Sequence, residues 1–145
     1  MKESLITFET AKLAKEKGFN ELVKTLYISD NDVVKSAKAN NSGRTNSNYT
    51  EREDYKVYSA PTQSLLQKWL REEHNLSVEV EFDYSYEIDE GKGNYSDAIF
   101  TVKISNISNP RKNDVFSPSW QRRDGNQFTY EGALEKGLYE ALKLI

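Results

Sequence analysis

From Leu76 to Asp89 the chain alternates without a break: Leu76, Val78, Val80, Phe82, Tyr84, Tyr86 and Ile88 hold every second position, and Ser77, Glu79, Glu81, Asp83, Ser85, Glu87 and Asp89 fill the gaps. Successive side chains of a strand point to opposite faces, so this is a long β-strand with one apolar face and one acidic, wet face. A strand of that kind belongs to a sheet covered on one side only. The pattern places Val80 and Phe82 under that cover.

Two helical patterns can supply it. Leu65, Leu66, Trp69 and Leu70 recur at helical spacing, with Pro61 suited to the first turn because no N–H is needed there. That helix ends near Asn75, where asparagine takes the left-handed position usually filled by glycine. Thr129 caps the second pattern, in which Ala133, Leu134, Gly137, Leu138, Ala141, Leu142 and Ile145 form a continuous stripe. Gly137 weakens that helix but lets its backbone come close to the sheet.

A third helix is expected near the start. Thr7 is its N-cap, Ile6 and Ala11 are placed as a hydrophobic staple, and Gly18 ends it in the left-handed conformation so that Phe19 folds back onto Ala14. Residues 22–28 and 55–58 read as strands. Between them, residues 30–54 turn to Asn, Ser, Asp, Lys and Thr with few apolar groups, which predicts a flexible excursion, with 40–48 its most mobile part. After the long strand, the 89–94 segment turns the chain back into a partner whose buried positions are Ala98, Phe100, Val102 and Ile104. Parity allows Phe82 to face either Phe100 or Val102, setting Lys103 opposite Glu79 or Glu81 respectively. Residues 105–127 are irregular, with short strand pieces around Val115-Phe116 or Trp120–Arg122 and a tight turn at Asp124-Gly125. The order α-β-β-α-β-β-α predicts a single α+β domain over 1–145, an antiparallel sheet of about four strands with helices packed on one face.

The 145 residues suffice for a real core, and the absence of cysteine rules out disulfides and thiolate metal sites. With His74 the single histidine, a multi-histidine zinc site is excluded too, and no cofactor is implied. A net charge of -3 argues against general nucleic-acid binding, which needs a cationic surplus. No apolar run has the length of a signal peptide or a membrane span, so a soluble cytoplasmic protein is expected.

Three segments, TFETAKLAKEKGF, YSAPTQSLLQKWLREEHNL and TYEGALEKGLYEAL, together resemble small uncharacterised α+β proteins of Bacteroides-type phages and mobile elements. The resemblance implies the fold and an origin in a phage or mobile element, hence action in a bacterial cytoplasm or a virion. It implies no catalytic residue, because every matched feature is a capping or core device. The chain departs from that pattern at Gly132, where a glutamate completing a capping box is expected, and in the 30–54 excursion.

Arg111, Lys112, Trp120, Arg122 and Arg123 form a basic, aromatic cluster in an otherwise acidic chain. Guanidinium forks grip phosphates and an indole offers a stacking face, so these are candidate ligand-binding residues. The plainer reading has Trp120 covering a core edge and the cations pairing with the acidic strand face. Tyr84, Tyr86 and Tyr95 near the hairpin end are candidate interaction residues, as tyrosine anchors interfaces, or they close the end of the core. The acidic ladder Glu79, Glu81, Asp83, Glu87 and Asp89 has the oxygen chemistry for a hard cation but diverges along a flat strand, which favours a solvated face. His74 is placed to cap its helix, Trp69 to enter the core and Arg71 to stay outside.

No convergent set of acid, base and nucleophile is visible, so the chain reads as a non-enzymatic binding protein. One form is a host-defence antagonist that sequesters a phosphate-bearing nucleotide signal. The other is a protein-interaction module that blocks a host factor or docks on a phage assembly. Homo-oligomerisation is compatible with both.

Overall fold

The computed structural model describes residues 3–31, 33–38, 54–89, 92–109 and 129–145, with backbone alone for 83–89 and 92–99. The elements run α1 (Phe8–Glu16), β1 (Thr25–Asp30), β2 (Val33–Lys38), β3 (Lys56–Ser59), α2 (Gln63–His74), β4 (Leu76–Asp89), β5 (Lys92–Asn106) and α3 (Tyr130–Lys143). This is an α+β fold with antiparallel pairing throughout.

Each helix starts and stops for a local reason. The hydroxyls of Thr7, Thr62 and Thr129 accept hydrogen bonds from the backbone N–H of Thr10, Leu65 and Gly132, which answers donors that have no partner within the helix. Helix α1 ends in a Schellman motif: Gly18 has φ +84°, its N–H donates to Lys15 O at 3.1 Å, and Phe19 N–H donates to Ala14 O at 2.9 Å. Helix α2 ends at Asn75 in the left-handed conformation, φ 55°. Pro61 lies one position before the Thr62 cap rather than in the first turn of α2, because the threonine hydroxyl takes the capping role. Its carbonyl instead accepts from Ile6 N–H, in the bridge that joins Leu5 to Thr62.

Four strands in one sheet are not what forms. The strands divide into a three-stranded sheet, β2-β1-β3, and a two-stranded hairpin, β4-β5. The additional strand is β2, inside the stretch expected to be an excursion. Asn31, with φ 43°, begins the reversal that lays Val33–Lys38 along β1, from Thr25↔Lys38 to Asp30↔Val33. Backbone pairing thus stabilises a segment whose side chains stay almost wholly exposed, which is why composition did not signal it. The rest of the expected excursion, including 40–48, lies outside the described residues.

Helices link the two sheets. Helix α3 touches β4, β5, α1 and α2, and α1 touches β3. A single core results, formed by Ile6, Ala11, Ala14 and Phe19 from the α1 region, Leu66, Trp69 and Leu70 from α2, Val78, Val102 and Ile104 from the hairpin, and the α3 stripe. A Cβ added at Gly137 would collide with Val102 Cγ1 and lie 2.9 Å from Val78 Cγ1, so the missing side chain sets how closely α3 approaches the hairpin.

The register pairs Phe82 with Phe100 and Glu79 with Lys103, which decides between the two alternatives. Beyond Tyr84↔Ala98 a bulge intervenes: Ser85 alone separates Tyr84 from Tyr86, whereas Ser96 and Asp97 separate Ala98 from Tyr95. The extra residue reverses the parity of β5, so Tyr95 pairs with Tyr86 at a position that continues the Leu76–Phe82 row. Without it, an odd-numbered residue of β5 would fall in the other row.

Candidate functional site

Among the described residues, exposure rises along the apolar row of β4 from Val78 to Phe82. Leu76 is 7% exposed and Val78 1%, Val80 is partly buried against the core, and Phe82 is 51% exposed. The expectation that Phe82 lies under the helices is therefore corrected, and lengths explain it. At roughly 3.3 Å per residue β4 extends about 46 Å, while α2 and α3, at 1.5 Å per residue, extend about 18 Å and 21 Å. Neither helix reaches beyond the lower half of the strand. The hairpin consequently continues as a two-stranded arm past Phe82 to Asp89 and back from Lys92.

At the base of this arm three aromatic rings meet. Phe82 and Phe100 pack edge to face with centroids 5.4 Å apart, and Phe100 meets Tyr130 at 6.3 Å. Tyr130 is the first residue of α3 and is itself 46% exposed, so the cluster is anchored to both the hairpin and a helix start. The sequence placed Phe82 and Phe100 in the buried row and gave Tyr130 no role. Its position directly after the Thr129 cap is the signal that could have drawn attention to it.

Of the tyrosines singled out above, Tyr86 and Tyr95 face each other in the register of the arm, and Tyr84 is one pair below. Their side chains, with those of Asp83, Glu87 and Asp89, lie outside what is described. Arg111, Lys112, Trp120, Arg122 and Arg123 fall entirely outside the described residues, as do the strand pieces and the turn expected around them. Glu79 and Glu81 are exposed on the wet face, where Ser77 Oγ donates to Glu79 at 2.9 Å. His74 packs its ring against the core Trp69 with centroids 4.5 Å apart, a contact that the expected capping role does not include. Trp69 is buried and Arg71 exposed.

One polar cluster escaped the sequence reading. Glu135 on α3 accepts from Thr7 N–H at 2.7 Å and Thr10 Oγ1 at 2.6 Å through one oxygen, and from Gln63 Nε2 at 3.0 Å through the other. In a capping box a glutamate three residues after the cap bonds the cap's own N–H. Thr10 occupies that position in α1, and Glu135 supplies the carboxylate from another helix. Gln63 also donates to Glu131 O at 2.9 Å, so the starts of α1, α2 and α3 are tied together. Tyr27 donates to Ile6 O at 2.7 Å nearby, and burial, then the charge of Glu135, pushes its hydroxyl above the usual tyrosine range. With both Glu135 oxygens engaged by donors from its own chain, the cluster is a joint between helices rather than an acid–base centre.

A shallow cleft of about 390 Å³ adjoins this joint, lined by Thr7, Glu9, Thr10, Glu135, Lys136, Tyr139 and Glu140. Among the described residues no group of three or more His, Asp or Glu side chains is placed to hold a metal ion, and no helix is long and apolar enough to cross a membrane. No family model, curated protein or solved structure matches the chain.

Proposed function

We propose that the chain is a non-enzymatic protein-interaction module that docks through its β4–β5 arm. The observation that carries this reading is the Phe82, Phe100 and Tyr130 cluster, in which Phe82 is 51% and Tyr130 46% exposed. Solvent-facing aromatic groups supply large contact area at low entropic cost, which is the composition of interface anchors. In a phage or mobile-element setting such an arm would attach the chain to an assembly or block a host factor.

Position-specific photo-crosslinking tests it. A benzoylphenylalanine in place of Phe82, compared with one in place of exposed Lys12 on α1, is expected to give discrete protein adducts at position 82 alone. Equal labelling from both positions would overturn the reading.

A second reading rests on sequence. Arg111, Lys112, Trp120, Arg122 and Arg123 have the chemistry to hold a phosphate-bearing nucleotide, and for a phage protein this would sequester a defence signal. It is tested by thermal shift against cyclic and linear nucleotides with the Arg122→Ala/Arg123→Ala variant beside the parent. A ligand that binds the folded chain raises its melting temperature in the parent only.

A further inference from the structure

We propose that the outer edge of β2 takes up an extended acidic segment of another protein as a fourth strand, a docking site separate from the arm. The hydrogen bonding of the three-stranded sheet determines which groups are left open. Ala60 N–H donates to Thr25 O at 2.9 Å, in step with the β1–β3 register, so Thr25, Tyr27 and Ser29 turn their backbone groups toward β3. Leu26, Ile28 and Asp30 therefore turn theirs toward β2, where they meet Ala37, Lys35 and Val33. The N–H and C=O groups of Val34, Ser36 and Lys38 point away from the sheet, and among the described residues no hydrogen bond reaches them.

The two edges of this sheet differ. On the β3 side, Lys15 Nζ donates to Val57 O at 3.0 Å, Ile6 N–H to Pro61 O at 3.1 Å and Gln63 N–H to Ser4 O at 2.9 Å, so α1 and the 4–6 segment close that edge. Strand β2 pairs with β1 at six consecutive positions and has neither a bulge nor a proline. Proteins cover or distort a bare edge because its unpaired groups are a template for another strand. Val33 and Val34, 55% and 40% exposed, stand on opposite faces of β2, where the side chains of an added strand would flank both.

Charge selects the occupant. Lys35 and Lys38 are exposed, β2 contains no acidic residue, and among the described residues neither lysine has an ion pair. Two copies of β2 laid edge to edge would set four ammonium groups along one seam. Opposite charges across a strand pair stabilise it, and like charges destabilise it. The matching antiparallel segment therefore carries acids three positions apart, opposite Lys38 and Lys35, followed by two β-branched apolar residues opposite Val34 and Val33. Main-chain bonds supply the affinity of such an added strand, and its alternate side chains the specificity.

The probe is the peptide GETSEVVG, with GKTSKVVG as its control. Amide hydrogen exchange of the full chain, read by NMR, locates the contact: Lys35 and Ala37 are expected to be protected in the free chain, and Val34, Ser36 and Lys38 to gain protection of about tenfold or more only with GETSEVVG. Two variants test the cause. Ser36→Pro removes an N–H that the sheet does not use, and Lys35→Glu/Lys38→Glu reverses the charge at exposed positions. By titration calorimetry, Ser36→Pro is expected to weaken the binding of GETSEVVG by about tenfold, and the charge-reversed chain to prefer GKTSKVVG by about the same factor. Melting curves establish that each variant is folded, and the charge-reversed chain decides alone if the proline is not tolerated. No binding of GETSEVVG, equal binding of both peptides by the parent, undiminished binding by a folded variant, or protection gained elsewhere than at Val34, Ser36 and Lys38 overturns the proposal.

Discussion

Replacing Gly137 with alanine sets two effects of known sign against each other. Helix propensity favours alanine over glycine inside a helix by about 1 kcal/mol. Packing opposes it, because the new methyl group would collide with Val102 Cγ1 and lie 2.9 Å from Val78 Cγ1. Both valines are 1% exposed and β-branched, so neither can turn aside without leaving its preferred rotamer. Overpacking in such a core costs about 1–3 kcal/mol, and the stiffness of both neighbours points to the upper end. The net expectation is a loss of about 2 kcal/mol, which in a chain of this length lowers the melting temperature by about 6 °C. Urea titration at constant m-value, checked by calorimetry, measures it. A second substitution sharpens the test: Val102→Ala removes the nearer of the two obstructions, so the double variant should be more stable than the sum of the single losses by about 1 kcal/mol. An unchanged or raised midpoint for Gly137→Ala, or strict additivity with Val102→Ala, would refute the idea that this glycine sets the spacing between α3 and the hairpin.

Glu135→Ala is expected to destabilise the fold by about 3 kcal/mol, since Thr7 N–H, the Thr10 hydroxyl and Gln63 all lose their acceptor; chemical denaturation reads it, and Glu135→Gln should fall between the two. Because the Tyr27 hydroxyl is held above its ordinary value of 10.0, the folded state retains that proton more tightly than the unfolded state, and the associated stability is present below pH 10 and lost as pH rises through the folded value. Melting temperatures measured across that alkaline window should therefore fall more steeply for the parent than for Tyr27→Phe. Asn75→Ala forces an ordinary side chain into the left-handed region at φ 55° and should cost about 1 kcal/mol in a denaturant melt, whereas Asn75→Gly should cost nothing. Val78→Ala should cost about 2 kcal/mol in the same melt, because Val78 is fully buried under the helices.

What the sequence disclosed and what it withheld divide along a physical line. Devices that act within a few residues were legible: the Thr7 and Thr129 caps, the Gly18 reversal that returns Phe19 to Ala14, the left-handed Asn75, and the alternation that makes β4 a strand. Features that depend on two distant segments were not. The parity rule narrowed the hairpin register but could not foresee that an extra residue at Ser96 and Asp97 would change the pairing beyond Tyr84. Strand β2 pairs by backbone alone, with Val33 and Val34 exposed, so neither composition nor periodicity marks it. Nothing in the sequence separates Glu135 from Glu131 and Glu140 on α3, and only the docking of α1 and α2 beside it turns it into their shared acceptor.

The extent of the cover was available from lengths, had they been compared. An apolar row of seven alternate positions needs about 46 Å of roof at the spacing of a strand, and helices of the lengths read for α2 and α3 provide about half of that. Alternation says which face of a strand avoids water; it does not say that the covering mass belongs to the same chain. The lower half of β4, from Leu76 to Val80, is explained by the core it closes, and the backbone pairing continues past the length of either helix.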